Sequence, residues 1–204
     1  MPATTPACPD KSAIRSELSK IYRRVAADPQ GEFDFHRGPA YAVEFLGYDA
    51  TELAVVPPDS TESFAGIGNP IAIGPIHSGE TVLDIGSGAG MDLLLLARRT
   101  GPQGHAIGVD MTEAMVERAR RAAAAAGLDQ VEIRQGDATA LPVADNSIDV
   151  VSSNGVLNLV PEKAAAFAEI VRVLKPGGRL HLADIARDVE LVEDDRRDID
   201  LWTG

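Results

Sequence analysis

Residues 81–92 read T-V-L-D-I-G-S-G-A-G-M-D. Val82, Leu83 and Ile85 form a short apolar run with β-branched character, Gly86, Gly88 and Gly90 follow at alternate positions, and Leu93 to Ala97 starts an apolar helix. Strand, glycine turn and helix in that order mark the place where a doubly wound α/β sheet holds a nucleotide-like ligand. Glycine lets the backbone turn sharply and brings the ligand close to the chain, because there is no Cβ in the way. The first N–H groups of the helix are left free to donate.

A dinucleotide-binding loop reads G-x-G-x-x-G. Here Met91 stands at the third glycine, and the order is G-x-G-x-G. Asp84, just ahead of the loop at the end of a buried strand, suits a ligand with an ammonium group better than a pyrophosphate. The pattern of Asp84, Gly86, Ser87, Gly88 and Gly90 resembles the first motif of the S-adenosylmethionine (SAM)-dependent methyltransferases.

Outward from this stretch, strands and helices alternate. Strands are expected at Val82–Ile85, His105–Val109, Val131–Arg134, Ile148–Ser152 and Arg179–Ile185. Helices are expected over 91–99, over 113–126 with Thr112 as cap and Gly127 past the end, and over 161–174 between Pro161 and the Lys175-Pro176-Gly177-Gly178 stop. Such alternation implies a mainly parallel sheet with right-handed crossovers. The expected fold is a Rossmann-like, doubly wound three-layer α/β/α domain with an N-terminal helical extension. The divisions are a disordered arm (1–11), a helical and loop extension (12–70), the core (71–187) and an acidic tail (188–204). In the extension, Ser12 caps a helix to about Ala27 whose Ile14, Leu18, Ile21 and Val25 recur at helical spacing. Packing on the body is its plainer reading, and covering the ligand site is the alternative. Tyr41–Leu46 reads as a short helix ended by Gly47, Pro57 and Pro58 break the chain, and S-F-A-G-I-G-N-P at 63–70 is a second glycine loop that either folds over the site or merely connects.

Asp110 ends the second strand about twenty residues beyond the glycines, where an acidic group accepts from both ribose hydroxyls. Met111 beside it is read as packing on an adenine ring or as a plain surface residue. Asp137 and Ala138 follow the third strand and are placed to accept from an adenine amino group and donate to the ring; an Asp in a turn is also ordinary. Asn154 and Gly155 follow the fourth strand, near where a reacting methyl group would lie. His36, His77, His105 and His181 have no metal-pair spacing, and His36 alone is considered for substrate contact.

The composition narrows the function. The apolar fraction is 45%, and the formal net charge of −12 opposes binding to nucleic acids and anionic membranes. No apolar run approaches the ~20 residues of a membrane helix, and no secretory signal is read at the N-terminus. A single cysteine, Cys8, excludes an internal disulfide and a multi-cysteine metal site. A cytoplasmic protein acting on a small molecule is the expectation, with its oligomeric state left open. No nucleophile–base pair stands out; methyl transfer does not require one, because the sulfonium already carries its leaving group.

Residues 81–185 as a whole resemble the class I SAM-dependent methyltransferases, through V-L-D-I-G-S-G-A-G, G-V-D-M-T, L-P-V-A-D-N-S-I-D-V-V and V-L-K-P-G-G-R-L in the family's order. That resemblance implies SAM as cofactor, contacted by Asp84, Gly86, Gly88, Asp110, Met111, Asp137, Ala138 and Asn154. A narrower resemblance, over about 41–204, is to the arsenite methyltransferases, through G-I-G-N-P at 66–70, G-P-Q-G-H-A-I-G-V-D-M-T at 101–112, S-N-G-V-L-N-L at 153–159 and the ending D-L-W-T-G. Those enzymes hold As(III) with thiolates. Two family cysteines match Ile67 and Gly155 here, and a third would fall beyond Gly204, which implies a different, organic acceptor. The family sheet has seven strands and five are counted here, which implies a fragment or a shortened sheet. The competing readings are a non-catalytic or truncated SAM-binding module and a nicotinamide-dependent oxidoreductase.

Overall fold

The computed structural model describes residues 10–186; the expected arm up to residue 9, Cys8 and the acidic tail lie outside the described residues. Helix α1 (Lys11–Ala27) is capped by Asp10, not Ser12: the Asp10 carboxylate accepts from the Ser12 N–H at 3.3 Å. It buries Ile14, Leu18 and Val25, the stripe read from their spacing. Helix α2 (Gly38–Leu46) begins earlier than expected because Pro39 fits a first turn, and Gly47 ends it at φ +72°. Short helices α3 (Ala50–Leu53) and α4 (Pro58–Thr61) follow, the first capped by Asp49. Pro58 therefore opens a helix as well as breaking the chain.

The core runs β1 (Thr81–Ile85), α5 (Met91–Thr100), β2 (His105–Asp110), α6 (Glu113–Ala126), β3 (Val131–Gln135), β4 (Ile148–Asn154), α7 (Lys163–Val173) and β5 (Leu174–Ala183). Strand order is β3-β2-β1-β4-β5, every pair parallel. The last strand starts sooner than expected because Leu174 already pairs with Ile148; a register break then absorbs the Pro-Gly-Gly segment before Arg179 meets Val150.

Alternate residues of β1 serve the two faces. Val82 joins the buried Leu93–Ala97 run of α5 and Val116 of α6 in one core, together with Tyr48, Leu53 and Phe64 of the extension. Leu83 and Ile85 join Ile170 and Val173 of α7 in the other. Full burial of each such aliphatic side chain contributes roughly 1.5–3 kcal/mol. β1 is central, and β2 and β4 leave it in opposite directions, so the chain opens a crevice at the carboxyl ends of β1 and β4. A third cluster sets α1 beside this crevice: Val25 and Tyr22 pack with Ala89 of the glycine loop and Met115 of α6.

Candidate active site

The glycine loop leaves β1 with Gly86, Gly88 and Gly90 at φ +68°, +52° and +93°, a region that side chains with a Cβ rarely enter. Gly86 N and Ser87 N donate to the Val109 carbonyl at 2.8 and 3.1 Å, which ties the loop to β2. A Cβ on Gly86 would collide with Val156, whereas one on Gly88 would meet nothing within 4 Å. The space over Gly88 is part of a partly open cleft at the ends of β1, β2 and β4.

The cleft is lined by Asp84, Gly86, Ser87, Gly88, Asp110, Met111, Asp137, Ala138, Asn154 and Gly155. Gly90, grouped with them from the sequence, is not in the lining; it faces Ala119 and forms the turn into α5. His36 also lies elsewhere, stacked on Tyr41 at 5.2 Å. Two segments whose sequence left their role open do reach the cleft. Helix α1 contributes Arg15, Leu18 and Tyr22, and the 63–70 loop contributes Phe64, Ala65 and Gly66. Helix α1 therefore does both: it packs through Ile14, Leu18 and Val25, as expected, and it also lines the cleft, because Arg15, off its apolar stripe, reaches loops far along the chain.

Asp110 is held by backbone donors, Gly88 N at 2.9 Å and Thr112 N at 2.8 Å. Burial nonetheless raises its carboxyl above the ordinary value, against those hydrogen bonds. The Tyr22 hydroxyl, withdrawn from water beside Asp110, is pushed up to about 12. Asp137 accepts from Thr139 N at 2.8 Å and Thr139 Oγ1 at 2.6 Å on one oxygen, and from Arg15 Nε at 3.0 Å on the other. Burial opposes its ionisation, but Thr139 and Arg15 outweigh it and hold the carboxyl below the usual range.

The inner end is different. Asp84 is 3% exposed and Asp92, in the first turn of α5, is 5% exposed. Asp92 accepts from Tyr48 OH at 2.7 Å and Asn154 Nδ2 at 2.9 Å. Burial pushes Asp92 up to about 6 against those two bonds, and burial with the neighbouring Asp92 raises Asp84 well above the ordinary value. Asn154 also accepts from Ile67 N at 2.9 Å and Gly68 N at 3.1 Å, and donates to Gly68 O at 2.9 Å. Its amide is spent on fixing the 63–70 loop to β4 and α5. Beside it, a Cβ built on Gly155 would lie 3.3 Å from Ile67 Cγ1. Ile67 and Gly155 are therefore neighbours, and neither carries sulfur.

Sequence reasoning missed Tyr48, Asp92 and Arg15 as parts of the site. Asp92 carried a signal, an acid within the apolar run M-D-L-L-L-L. Tyr48 and Arg15 carried none, since their partners lie 44 and 122 residues away.

A profile of the family described as a methyltransferase domain matches residues 76–201, more than half of the chain. The chain belongs to that family. It is a class I SAM-dependent methyltransferase domain, and the family's cofactor is S-adenosyl-L-methionine; this sets aside the nicotinamide alternative. The arsenite methyltransferase of Halobacterium salinarum is 47% identical over 161 residues, 79% of this chain and 41% of that protein. The demethylmenaquinone methyltransferase of Listeria monocytogenes is 37% identical over 112 residues, 55% of this chain and 47% of that protein. Among solved structures, the arsenic(III) S-adenosylmethionine methyltransferase of Chlamydomonas reinhardtii superposes with a TM-score of 0.60 at 39% identity, covering 64% of this chain and 46% of that one. This methyltransferase domain thus spans less than half the length of these relatives. Its residues fit the cofactor: the cradle over Gly88 is open, and Asp84 and Asp92 form a buried carboxyl pair, its ionisation opposed by burial, that an ammonium group would suit.

Proposed function

We propose that this chain transfers a methyl group from SAM to a small organic acceptor with an apolar body, and not to trivalent arsenic. The observation that carries this reading is the pair Ile67 and Gly155: a Cβ built on Gly155 would lie 3.3 Å from Ile67 Cγ1, and neither residue carries the thiolate that a soft metalloid needs. Phe64, Val156, Leu159 and Val160 continue the apolar lining around it. An organic acceptor is also the substrate type named for the demethylmenaquinone methyltransferase relative.

In this reading Asp110 binds the ribose hydroxyls, Asp137 and Ala138 bind the adenine edge, and Asp84 with Asp92 serves the ammonium end. Gly86, Ser87 and Gly88 let the backbone approach the ligand, and Met111 packs beside the base. When bound, SAM supplies an electrophilic methyl on a sulfonium, so the protein's task is in-line alignment in a water-poor cleft. Asn154 acts here by holding the 66–68 backbone as a roof, since its own amide is already occupied. The acceptor's reacting atom would lie between this roof and Val156.

The test is a mass-spectrometric methyl-transfer assay with SAM and a panel of phenols, hydroquinones and thiols, with arsenite plus glutathione in parallel. A methylated organic product and no methylarsenic species is the expected outcome. Methylarsenite formed by this chain would overturn the acceptor assignment, and binding of S-adenosylhomocysteine without turnover of any acceptor would favour the non-catalytic module.

A further inference from the structure

Helix α1 lies outside the segment matched by the family profile, yet it reaches the cofactor cleft. Arg15 Nε donates to Asp137 at 3.0 Å, while its Nη2 donates to Glu162 at 3.2 Å and to Thr139 Oγ1 at 3.5 Å. Lys11 Nζ holds the other oxygen of Glu162 at 3.2 Å. The guanidinium therefore joins three parts of the chain: α1, the turn after β3 and the residue that opens α7. Isolated exposed ion pairs contribute little. This one is a network in which Arg15, Asp137 and Glu162 are 33%, 34% and 25% exposed, and Lys11 alone lies mostly in water at 56%.

The consequence is for Asp137. An ionised carboxylate has about four acceptor positions. Thr139 takes two on Oδ1, and Arg15 takes one on Oδ2. One position on Oδ2 remains, on a residue that lines the cleft. We propose that Arg15 is a positioning residue for the cofactor's base: by bridging Asp137 and Glu162 it fixes the Asp137 carboxylate so that its remaining lone pair receives the adenine 6-amino group. This rests on the assignment of Asp137 to adenine in the proposed function. Arg15 thereby makes an element outside the matched family segment part of cofactor selection. Arginine suits the place, because its planar fork serves two carboxylates at once. Without it, Asp137 would lose the bond that fixes Oδ2 and would be held by Thr139 alone, through Oδ1.

The test is calorimetric titration of the 204-residue chain with S-adenosylhomocysteine and with S-inosylhomocysteine. The second ligand carries a 6-oxo group in place of the 6-amino group and cannot donate to Asp137 from that position. Arg15→Ala is expected to weaken S-adenosylhomocysteine about tenfold, the worth of one charge-assisted hydrogen bond, and to leave S-inosylhomocysteine nearly unchanged. The preference for adenine then shrinks by the same factor, and Arg15→Lys recovers part of it. Equal weakening of both ligands, or no change in either, would overturn the proposal, since a helix that merely packs cannot sense the 6-substituent. If thermal melting shows Arg15→Ala to be unfolded, Glu162→Gln removes the other leg of the bridge and is expected to narrow the preference in the same direction; an unchanged preference there counts against the proposal. A wild-type chain that binds neither ligand would overturn the cofactor reading itself. Wild-type binding without adenine preference would overturn only the role given to Asp137 and Arg15.

Discussion

Asp137 and Asp92 line the same cleft and are held in opposite ways. Asp137, at the outer end, is paired with a guanidinium and a threonine and stays ionised below the usual range. Asp92, at the inner end, is nearly fully buried and has as its hydrogen-bond donors a tyrosine hydroxyl and a side-chain amide. Neutral donors offset only part of the cost of burying a charge, so its carboxyl rises to about 6. The outer end is already paired with a cation and keeps one acceptor position, on Asp137 Oδ2. The inner end lacks a positive charge that a ligand can bring.

The largest effect should come from taking away one of the inner donors. Tyr48→Phe leaves an oxygen of Asp92 without its 2.7 Å bond and is expected to destabilise the protein by roughly 2 kcal/mol, read by chemical denaturation at pH 7. Thr139→Val, which removes a hydroxyl bond of similar length at the outer end, serves as the counterpart. It should cost only about 0.5 kcal/mol, because water and Arg15 remain within reach of Asp137. Equal losses in the two variants would erase the distinction between the ends.

Between those extremes lies pH. Asp92 has a folded value raised above its ordinary one, so its share of stability is fully present below about 4 and is lost as pH rises through about 6. Asp137 is lowered, so its share is present above its ordinary value and is lost as pH falls through the folded one. The binding of an ammonium-bearing ligand should follow the inner end. Affinity for S-adenosylhomocysteine is expected to fall by up to about tenfold per unit below pH 6, measured by calorimetry from pH 5 to 8. A flat profile would show that Asp92 does not face the ammonium group.

The strands, the glycine turn and the polar residues at the strand ends were legible because each depends on local pattern, β-branched runs and left-handed glycines; helix starts were less so, since Asp10 caps α1 in place of Ser12, Thr112 makes no side-chain capping bond and α7 starts at Lys163, past Pro161. The 63–70 loop and α1 were ambiguous because their role is set by contacts that no local pattern encodes. Asn154 shows the limit well. Its position after β4 pointed correctly to the cleft, but only the folded chain shows its amide turned to the backbone of Ile67 and Gly68. The absence of thiols at 67 and 155 was legible; that a side chain at 155 would meet Ile67 was not.

The crowding at Asn154 has a consequence for how this sequence can change. A side chain on Gly66 would collide with the Asn154 amide and with Phe64. Position 66 is therefore closed to substitution while Asn154 and Phe64 remain, and shrinking Asn154 first would release the bonds that hold residues 67 and 68. Neighbours of this kind do not contribute additively. Any lineage that remodels this loop must pass through a weakened intermediate or change the positions together.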